Sequence, residues 1–439
     1  MLIIKPQEYA ERRQRLFAQV GKGNIAIIAS GTELLRNGDA HFAFRQNSDF
    51  YYLTGFNEPE AIAVFIPDRV QGQYILFNRP RDPDMEIWNG KRAGQAGAVE
   101  HYGADEAYPI HEFADKLIEL LAESQRVFYP VGRQTKLDEQ IMNAVNILRT
   151  RGRKGYSVPV EFINIEHLIH EMRLIKSSAE LDVMRKAAAI SGVAHKRAMS
   201  KCKPGMYEYE LEAEMQYEFY KQGSRSPAYN FIVGTGENAC ILHYNENNAA
   251  IKDGDMILID AGCEFENYAS DITRTFPANG RFSPEQRAIY ELVLQAQLAV
   301  IASIRPGLHW NELHELAARK ITEGLVQIGL LQGNVNTLIA SNAYQKFYMH
   351  LTGHWLGIDV HDAGAYKQAG HWRTLQPGMV FTVEPGVYIS ANTPGVDKKW
   401  WNIGVRIEDD VVVTETGCEV LTASTPKTIA EIEALVGKG

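Results

Sequence analysis

The chain is poor in cysteine, lacks long apolar runs and carries no excess of basic residues, and each shortage removes a class of protein. Its 4 cysteines are scattered through 439 residues without a CxxC pair, so a zinc ribbon or a dithiol redox site is not expected. The sequence contains no run of about eighteen apolar residues, so a membrane-spanning helix is not expected. A formal net charge of -9 leaves no electrostatic footprint for nucleic acid.

The remaining composition, 45% hydrophobic and 23% charged residues, is typical of a globular protein. Residues 1–17 are amphipathic and charged, without the apolar core and cleavage site of a secretory signal. We therefore expect a cytoplasmic protein with reduced thiols that binds neither membranes nor nucleic acid. A length of 439 residues is too great for one ordinary core, which predicts two domains.

The N-terminal third alternates short β-branched runs with helical patterns, as α/β domains do. The predicted elements are strands at Asn24–Ala29, Ala61–Pro67, Gln73–Phe77 and Val127–Pro130 and a helix at His111–Leu121. A basic, glycine-containing stretch at 149–154 interrupts this pattern, and a capping box of Ser177 and Glu180 then starts a new helix. These breaks predict an N-terminal domain over 1–174 and a second domain over 175–439.

The C-terminal part mixes long helices with strand-like runs, which is the pattern of an α+β domain. One helix opens at Ser283 with Pro284 in its first position, and another covers 310–328. The strand-like runs are Met256–Ala261, Tyr268–Phe276, Met379–Ile389 and Gly404–Thr414.

Two aspartates lie where a buried charge would be costly. The apolar run that begins at Met256 ends on Asp260, and Asp271 lies in the next strand-like segment. A hairpin that turns near Phe265–Glu266 would place the two carboxylates directly opposite each other, with Cβ atoms roughly 5 Å apart. Carboxylates that close repel each other unless a cation lies between them. The alternative is that one aspartate is a turn residue and the other is solvated.

Histidines and glutamates form a second group of candidates. His350, His354 and His361 lie close together in the chain, although their spacing is not the HExxH of zinc proteases. Each could instead be an ordinary core or surface residue. The segment His309–His314 is interpreted as the face of an amphipathic helix.

Glu384 directly follows the strand-like residues Thr382-Val383, and Pro385 ends that run. Glu408 is predicted to lie inside an apolar strand, two positions after Arg406 and therefore on the same face. That pair could also be only a structural ion pair.

Together these residues form an oxygen-rich donor set without sulfur. Such a set suits hard to borderline divalent ions such as Mn²⁺, with Co²⁺ and Zn²⁺ as alternatives. Four carboxylates would be balanced by two divalent cations, which predicts a two-metal site. The predicted ligands are Asp260, Asp271, His354, Glu384 and Glu408.

The sequence resembles the pita-bread metallopeptidases, and within them the aminopeptidase P type. The segments that carry the resemblance are 44–56, 172–177, 232–244, 260–275, 353–362, 383–388 and 404–409. It implies a pita-bread catalytic domain of the α+β class, preceded by a smaller α/β domain. It further implies that Asp271 and Glu408 bridge two metals, that Asp260 binds one metal, and that His354 and Glu384 bind the other.

The resemblance also implies roles around the metals. Glu384 would move protons, His243 and His361 would line the site and polarise the scissile carbonyl, and Arg406 would orient a ligand carboxylate. Further candidates for the surroundings of the site are His350, Tyr388, Trp88 and Asp39.

The implied activity is release of the residue that precedes a proline at a peptide N-terminus, by attack of a metal-bridging hydroxide. A homotetramer or dimer is implied as well. The closest alternative is a prolidase, which acts on Xaa-Pro dipeptides with the same ligands. A methionine aminopeptidase would lack the N-terminal domain, a creatinase would lack the ligands, and a non-catalytic peptide-binding relative would bind no metal.

Overall fold

The computed structural model describes residues 4–122 and 124–439, and the chain divides into two units, Met1–Arg173 and Leu174–Gly439. None of the described helices combines the length and the apolar content that a membrane crossing requires.

The strands of the N-terminal unit are β1 (Asn24–Ala29), β2 (Leu35–Asn37), β3 (Ala40–His41), β4 (Ile62–Phe65), β5 (Tyr74–Asn78), β6 (Glu106–Pro109), β7 (Arg126–Tyr129) and β8 (Glu161–Asn164). Six of them form a mixed sheet in the order β6-β5-β4-β1-β7-β8. Strand β1 runs antiparallel to β4 and parallel to β7. All four predicted strands are present in this sheet.

The unit also contains helices, several of which bury an apolar face. They are α1 (Pro6–Val20), α2 (Ser48–Thr54), α3 (Pro83–Asn89), α4 (Gly94–Tyr102), α5 (Phe113–Leu121), α6 (Thr135–Thr150) and α7 (Glu166–Leu174). In α5, Phe113, Leu117 and Leu121 recur at helical spacing and are fully buried. The predicted helix at His111–Leu121 is confirmed, with its first residues in a 3₁₀ turn.

The C-terminal unit groups its helices apart from several small antiparallel sheets, which confirms the α+β class. Its helices are α8 (Ser178–Lys201), α9 (Glu208–Lys221), α10 (Pro284–Ser303), α11 (Trp310–Gln327), α12 (Val335–Ala340) and α13 (Ile429–Leu435). The capping box of Ser177 and Glu180 is present at the start of α8, and Ser283 caps α10 as predicted.

The strands of this unit are short and pair with near neighbours in the chain. They are β9 (Ser226–Pro227), β10 (Ile232–Thr235), β11 (Met256–Asp260), β12 (Cys263–Phe265), β13 (Tyr268–Ala269), β14 (Thr273–Pro277), β15 (Lys367–Gln368), β16 (His371–Trp372), β17 (Val380–Val383), β18 (Gly386–Ile389), β19 (Ile403–Arg406), β20 (Asp409–Val413) and β21 (Cys418–Val420). Sheets of order β10-β11-β14 and β17-β20-β21 carry most of the candidate ligands at their strand ends.

The hairpin between the two aspartates has a different register from the predicted one. Asp260 pairs with Thr273 rather than with Asp271. The turn consists of Glu266 and Asn267, both with positive φ, which is the geometry of a two-residue hairpin turn. The observed turn is centred one residue later than the predicted one, which changes the pairing partner of Asp260 by two positions. Because side chains alternate between the faces of a strand, a change of two positions leaves Asp271 on the same face of the hairpin as predicted.

The prediction that Glu408 lies inside a strand is wrong. Strand β19 ends at Arg406 and β20 begins at Asp409, so Glu408 lies in the short link between them. The link is nevertheless buried, with Glu408 1% exposed. The apolar run thus reflected burial rather than a continuous strand.

Candidate metal centre

One cleft of about 1160 Å³ in the C-terminal unit contains most of the candidate residues. Those that line it are His243, Asp260, Asp271, His350, His354, His361, Glu384, Arg406 and Glu408. They come from strand ends and links that are far apart in the chain, so the sheets of this unit bring the candidates together.

Asp260 and Asp271 are joined by a phenol. Strand β11 carries Asp260 at its carboxyl end, where the carboxylate enters the cleft. The hydroxyl of Tyr229 lies 2.6 Å from Asp260 Oδ1 and 2.5 Å from Asp271 Oδ1. The two carboxylates therefore share one neutral donor, and their other oxygens remain available to other partners.

A second cluster joins Asp271 to His354 and Glu408. One ligand atom of each of the three lies within 4.8 Å of the others. Thr273 Oγ1 donates to Glu408 Oε2 at 2.6 Å, which fixes that carboxylate across the link. This arrangement gives one nitrogen and two oxygen donors around a common point.

The orientation of His354 is suited to a metal ligand. Its Nδ1 lies 3.0 Å from the backbone oxygen of Trp355, and a carbonyl oxygen only accepts, so Nδ1 carries the proton. Its Nε2 faces Asp271 Oδ2 at 3.4 Å and Glu384 Oε1 at 3.6 Å. The carbonyl thus selects the tautomer that leaves Nε2 pointing at the carboxylates.

Burial raises the pKa of several carboxyl groups in the cleft. Burial and the charge of Asp271 raise the pKa of Asp260 to about 6, against the lowering effect of Arg406. Burial likewise raises the pKa of Glu384 to about 7 and that of Glu408 well above its usual range. Because several buried carboxylates this close together repel one another, they need cationic partners. Their oxygen atoms, with one imidazole nitrogen and no sulfur, fit divalent ions.

Arg406 is a buried cation that lines the cleft. Its Nη2 donates to Asp260 Oδ2 at 2.6 Å, its Nε to Thr273 Oγ1 at 3.0 Å and its Nη1 to Tyr388 Oη at 3.0 Å. The carboxylate it orients is therefore Asp260.

The remaining histidines differ in their surroundings. His350 Nε2 lies 2.8 Å from Tyr388 Oη, and burial lowers the pKa of His350 to about 3. The ring of His361 lies 4.3 Å from that of His354, edge to face. Burial and the charge of His354 lower the pKa of His361. His243 is exposed on the wall of the cleft.

Two candidates lie in the N-terminal unit. Trp88 is 82% exposed on α3, a helix that buries none of its residues. Asp39 is exposed in the turn between β2 and β3. Their roles stay predictions.

Sequence reasoning missed Tyr229, Thr273 and His314. Thr273 is two positions from Asp271, so the period of a strand could have indicated it. His314, interpreted as part of a helix face, lines the cleft and lies 3.0 Å from Thr352 Oγ1. Tyr229 precedes its partners by a long stretch of chain, and nothing in its neighbourhood signals a carboxylate contact.

The chain is similar to known proteins over nearly its whole length. Residues 182–415 match the model of metallopeptidase family M24, and residues 9–129 match the aminopeptidase P N-terminal domain. A Xaa-Pro aminopeptidase of Escherichia coli is 48% identical over 99% of this chain and 98% of its own.

Solved structures agree with these matches. An aminopeptidase from Pseudomonas aeruginosa has a TM-score of 0.98 at 57% identity, over 99% of this chain and 98% of that chain. A zinc-substituted aminopeptidase P from Escherichia coli, in complex with product, has a TM-score of 0.96 at 47% identity, with 98% of both chains covered.

The fold and the acid-rich cleft define a metal-dependent exopeptidase with the pita-bread architecture. The chain belongs to metallopeptidase family M24 and carries the aminopeptidase P N-terminal domain.

Proposed function

We propose that the chain is a Xaa-Pro aminopeptidase, which releases the first residue of peptides that have proline in the second position. The observation that carries this proposal is the cleft, in which four carboxylates, His354 and Arg406 converge. Similarity to Xaa-Pro aminopeptidases over almost the full chain, N-terminal domain included, supports the substrate class.

We further propose that the cleft holds two divalent ions, Mn²⁺ by preference. Asp271 and Glu408 would be shared by both ions, Asp260 would belong to one, and His354 with Glu384 to the other. When bound, such ions supply Lewis acidity, which lowers the pKa of water and polarises a carbonyl.

The side chains around the metals have separate tasks in this proposal. Glu384 accepts a proton from the attacking water and passes it to the leaving proline nitrogen. His243 and His361 face the cleft from its wall and hold the substrate carbonyl. Arg406 keeps Asp260 oriented. Arg406 also donates to the hydroxyl of Tyr388, which in turn contacts Nε2 of His350.

The N-terminal unit completes the proposal. Proline in the second position offers no N–H, so its side of the site must be open and apolar. We propose that Trp88 and Asp39 contribute there, from this chain or from another copy in a homotetramer or dimer. The domain boundary at residue 174 and a cytoplasmic location belong to the same proposal.

The test is peptide hydrolysis by metal-stripped protein after addition of Mn²⁺. An Xaa-Pro-Yaa tripeptide and an Xaa-Pro dipeptide are compared, with chelator-treated protein as the control. Release of Xaa from the tripeptide alone supports the proposal. A preference for the dipeptide would assign the chain to the dipeptidases, of which the human enzyme is 34% identical. Failure to cleave either peptide, with no bound metal, would leave a peptide-binding protein.

A further inference from the structure

A fully buried ion pair lies next to the cleft and has no part in the proposed chemistry. Lys176 Nζ is 2.9 Å from Asp362 Oδ2, and both side chains are 1% exposed. Removing one partner of such a pair leaves an uncompensated buried charge, so the pair strongly restrains the segments that carry it. Asp362 directly follows His361, which lines the cleft.

Asp362 closes the loop that carries His361. Its backbone N–H donates to the oxygen of Trp355 at 2.8 Å, and its Oδ1 accepts from the N–H of Asp359 at 3.3 Å. A Cβ on Gly357 would overlap Asp362 Oδ2 and approach Lys176 Cε to 3.0 Å. The loop therefore needs glycine at this point for the carboxylate to meet the lysine.

Lys176 connects this loop to the strands that carry ligands. Its own N–H donates to the oxygen of Gly378 at 2.9 Å, just before β17, the strand that ends next to Glu384. On the other side of the loop, the N–H of Ala269 donates to the oxygen of Gly357 at 2.8 Å, two residues before Asp271. The loop is thus held between the two ligand-bearing segments.

We infer that the Lys176–Asp362 ion pair is a positioning device for His361, an inference that rests on the proposed function. It fixes the loop so that the imidazole of His361 stays edge to face against His354, 4.3 Å between ring centres. The pair does not touch substrate and acts through the histidine. A displacement of about 1 Å at a positioned group can lower a rate by about 100-fold.

The experiment replaces both charged side chains of the pair by neutral ones. Lys176→Met combined with Asp362→Asn keeps both shapes and the acceptor that closes the loop. The matched control is Arg197→Met with Glu214→Gln, which removes a pair at 2.6 Å between α8 and α9, outside the cleft. Both double variants are made in the parent protein and in His361→Ala, and kcat, KM and Mn²⁺ affinity are measured on an Xaa-Pro-Yaa peptide.

The inference predicts a fall in kcat of about tenfold or more in the parent, with KM and Mn²⁺ affinity changed less than about twofold. In the His361→Ala background the same double change should lower kcat by less than about twofold, because the residue it positions is gone. Equal losses in both backgrounds, or no loss in the parent, would overturn the inference. The control pair should leave kcat unchanged in both.

A second measurement does not depend on activity. In protein labelled with ¹³C-histidine, the ring signal of His361 is assigned from its loss in His361→Ala. It should shift in the Lys176→Met/Asp362→Asn variant and stay in place in the control variant; an unmoved signal would overturn the inference. If the parent cleaves no peptide, the proposed function fails, and this signal still decides whether the pair positions the histidine.

Discussion

At the level of single residues, one neutral donor helps to hold two carboxylates of the cleft in place. Tyr229 lies within hydrogen-bonding distance of both Asp260 and Asp271. Burial and the two neighbouring carboxylates raise the pKa of Tyr229 well above its usual range, so the phenol keeps its proton. It therefore orients both carboxylates without neutralising either.

Replacing Tyr229 by Phe should weaken Mn²⁺ binding by about 10- to 100-fold, the usual effect of removing a partner that orients a ligand. The fold should be retained because the ring still fills its place. Mn²⁺ titration followed by calorimetry measures the effect. Tyr220→Phe, at a side chain that is 50% exposed and outside the cleft, is the control and should bind Mn²⁺ normally. Unchanged affinity in Tyr229→Phe would show that the hydroxyl does not organise the site.

At the level of secondary-structure elements, close backbone approach places the ligand segments side by side. The N–H of Thr382 donates to the oxygen of His354 at 3.0 Å, and that of Glu384 to the oxygen of Thr352 at 2.8 Å. A Cβ on Gly353 would overlap the carbonyl oxygen of Thr382 in β17. Glycine at 353 is thus required for His354 and Glu384 to lie together.

Gly353→Ala should therefore separate these two ligands. We expect an unfolding free energy lower by about 1–3 kcal/mol, as for an overpacked core, together with a strong loss of Mn²⁺ affinity. Urea unfolding and Mn²⁺ titration measure the two effects. Gly417→Ala is the control, since the nearest heavy atom to its added Cβ is 3.9 Å away. Equal behaviour of the two variants would contradict this account of the glycine.

In the N-terminal unit, one carboxylate joins α2 to α7. Asp49 accepts from Arg173 Nη1 at 2.7 Å and lies 3.2 Å from His170 Nε2. Burial alone would raise the pKa of Asp49, but hydrogen bonds and charge from His170 and Arg173 outweigh burial and lower it. A lowered pKa means that the folded state binds the proton less tightly than the unfolded state does.

The contribution of Asp49 to stability should be present above the ordinary carboxyl pKa of about 3.9 and be lost as the pH falls through the lower, folded value. At pH 7, Asp49→Asn should lower the unfolding free energy by about 3 kcal/mol, because the change breaks the buried ion pair with Arg173. Urea unfolding of both proteins at pH 7 and at pH 3 tests this. The difference should shrink at the lower pH, and a constant difference would refute the electrostatic explanation.

For the whole molecule, the buried acids of the cleft tie stability to metal. With chelator, the carboxylates of Asp260, Asp271, Glu384 and Glu408 face one another with Arg406 and His354 as nearby cations. Ions that bind only the folded state stabilise it by mass action. Addition of Mn²⁺ should therefore raise the melting temperature of stripped protein in a concentration-dependent manner, as followed by calorimetry. A melting temperature independent of Mn²⁺ would contradict metal binding in the cleft.

The grouping of helices apart from strand-like runs predicted the α+β class, and four acids and a histidine on or beside apolar segments indicated the candidate ligands; both are local signals. Sequence reasoning misjudged the hairpin register by two positions, because the positive φ of Glu266 and Asn267 is a property of the folded turn. It could not reveal the contact of Tyr229 with Asp260, which forms only when the chain brings distant segments together. The roles of the individual ligands stay predictions.

The proposed function is tested by titrating metal-stripped protein with Mn²⁺ while mass spectrometry follows an Xaa-Pro-Yaa peptide and its Xaa-Ala-Yaa counterpart. The proposal predicts that free Xaa appears from the proline peptide, that release rises until two equivalents of Mn²⁺ are bound, and that the alanine peptide is cleaved far more slowly. Folded protein that binds Mn²⁺ but leaves the proline peptide intact, or that cleaves it equally well after chelation, would contradict the proposal.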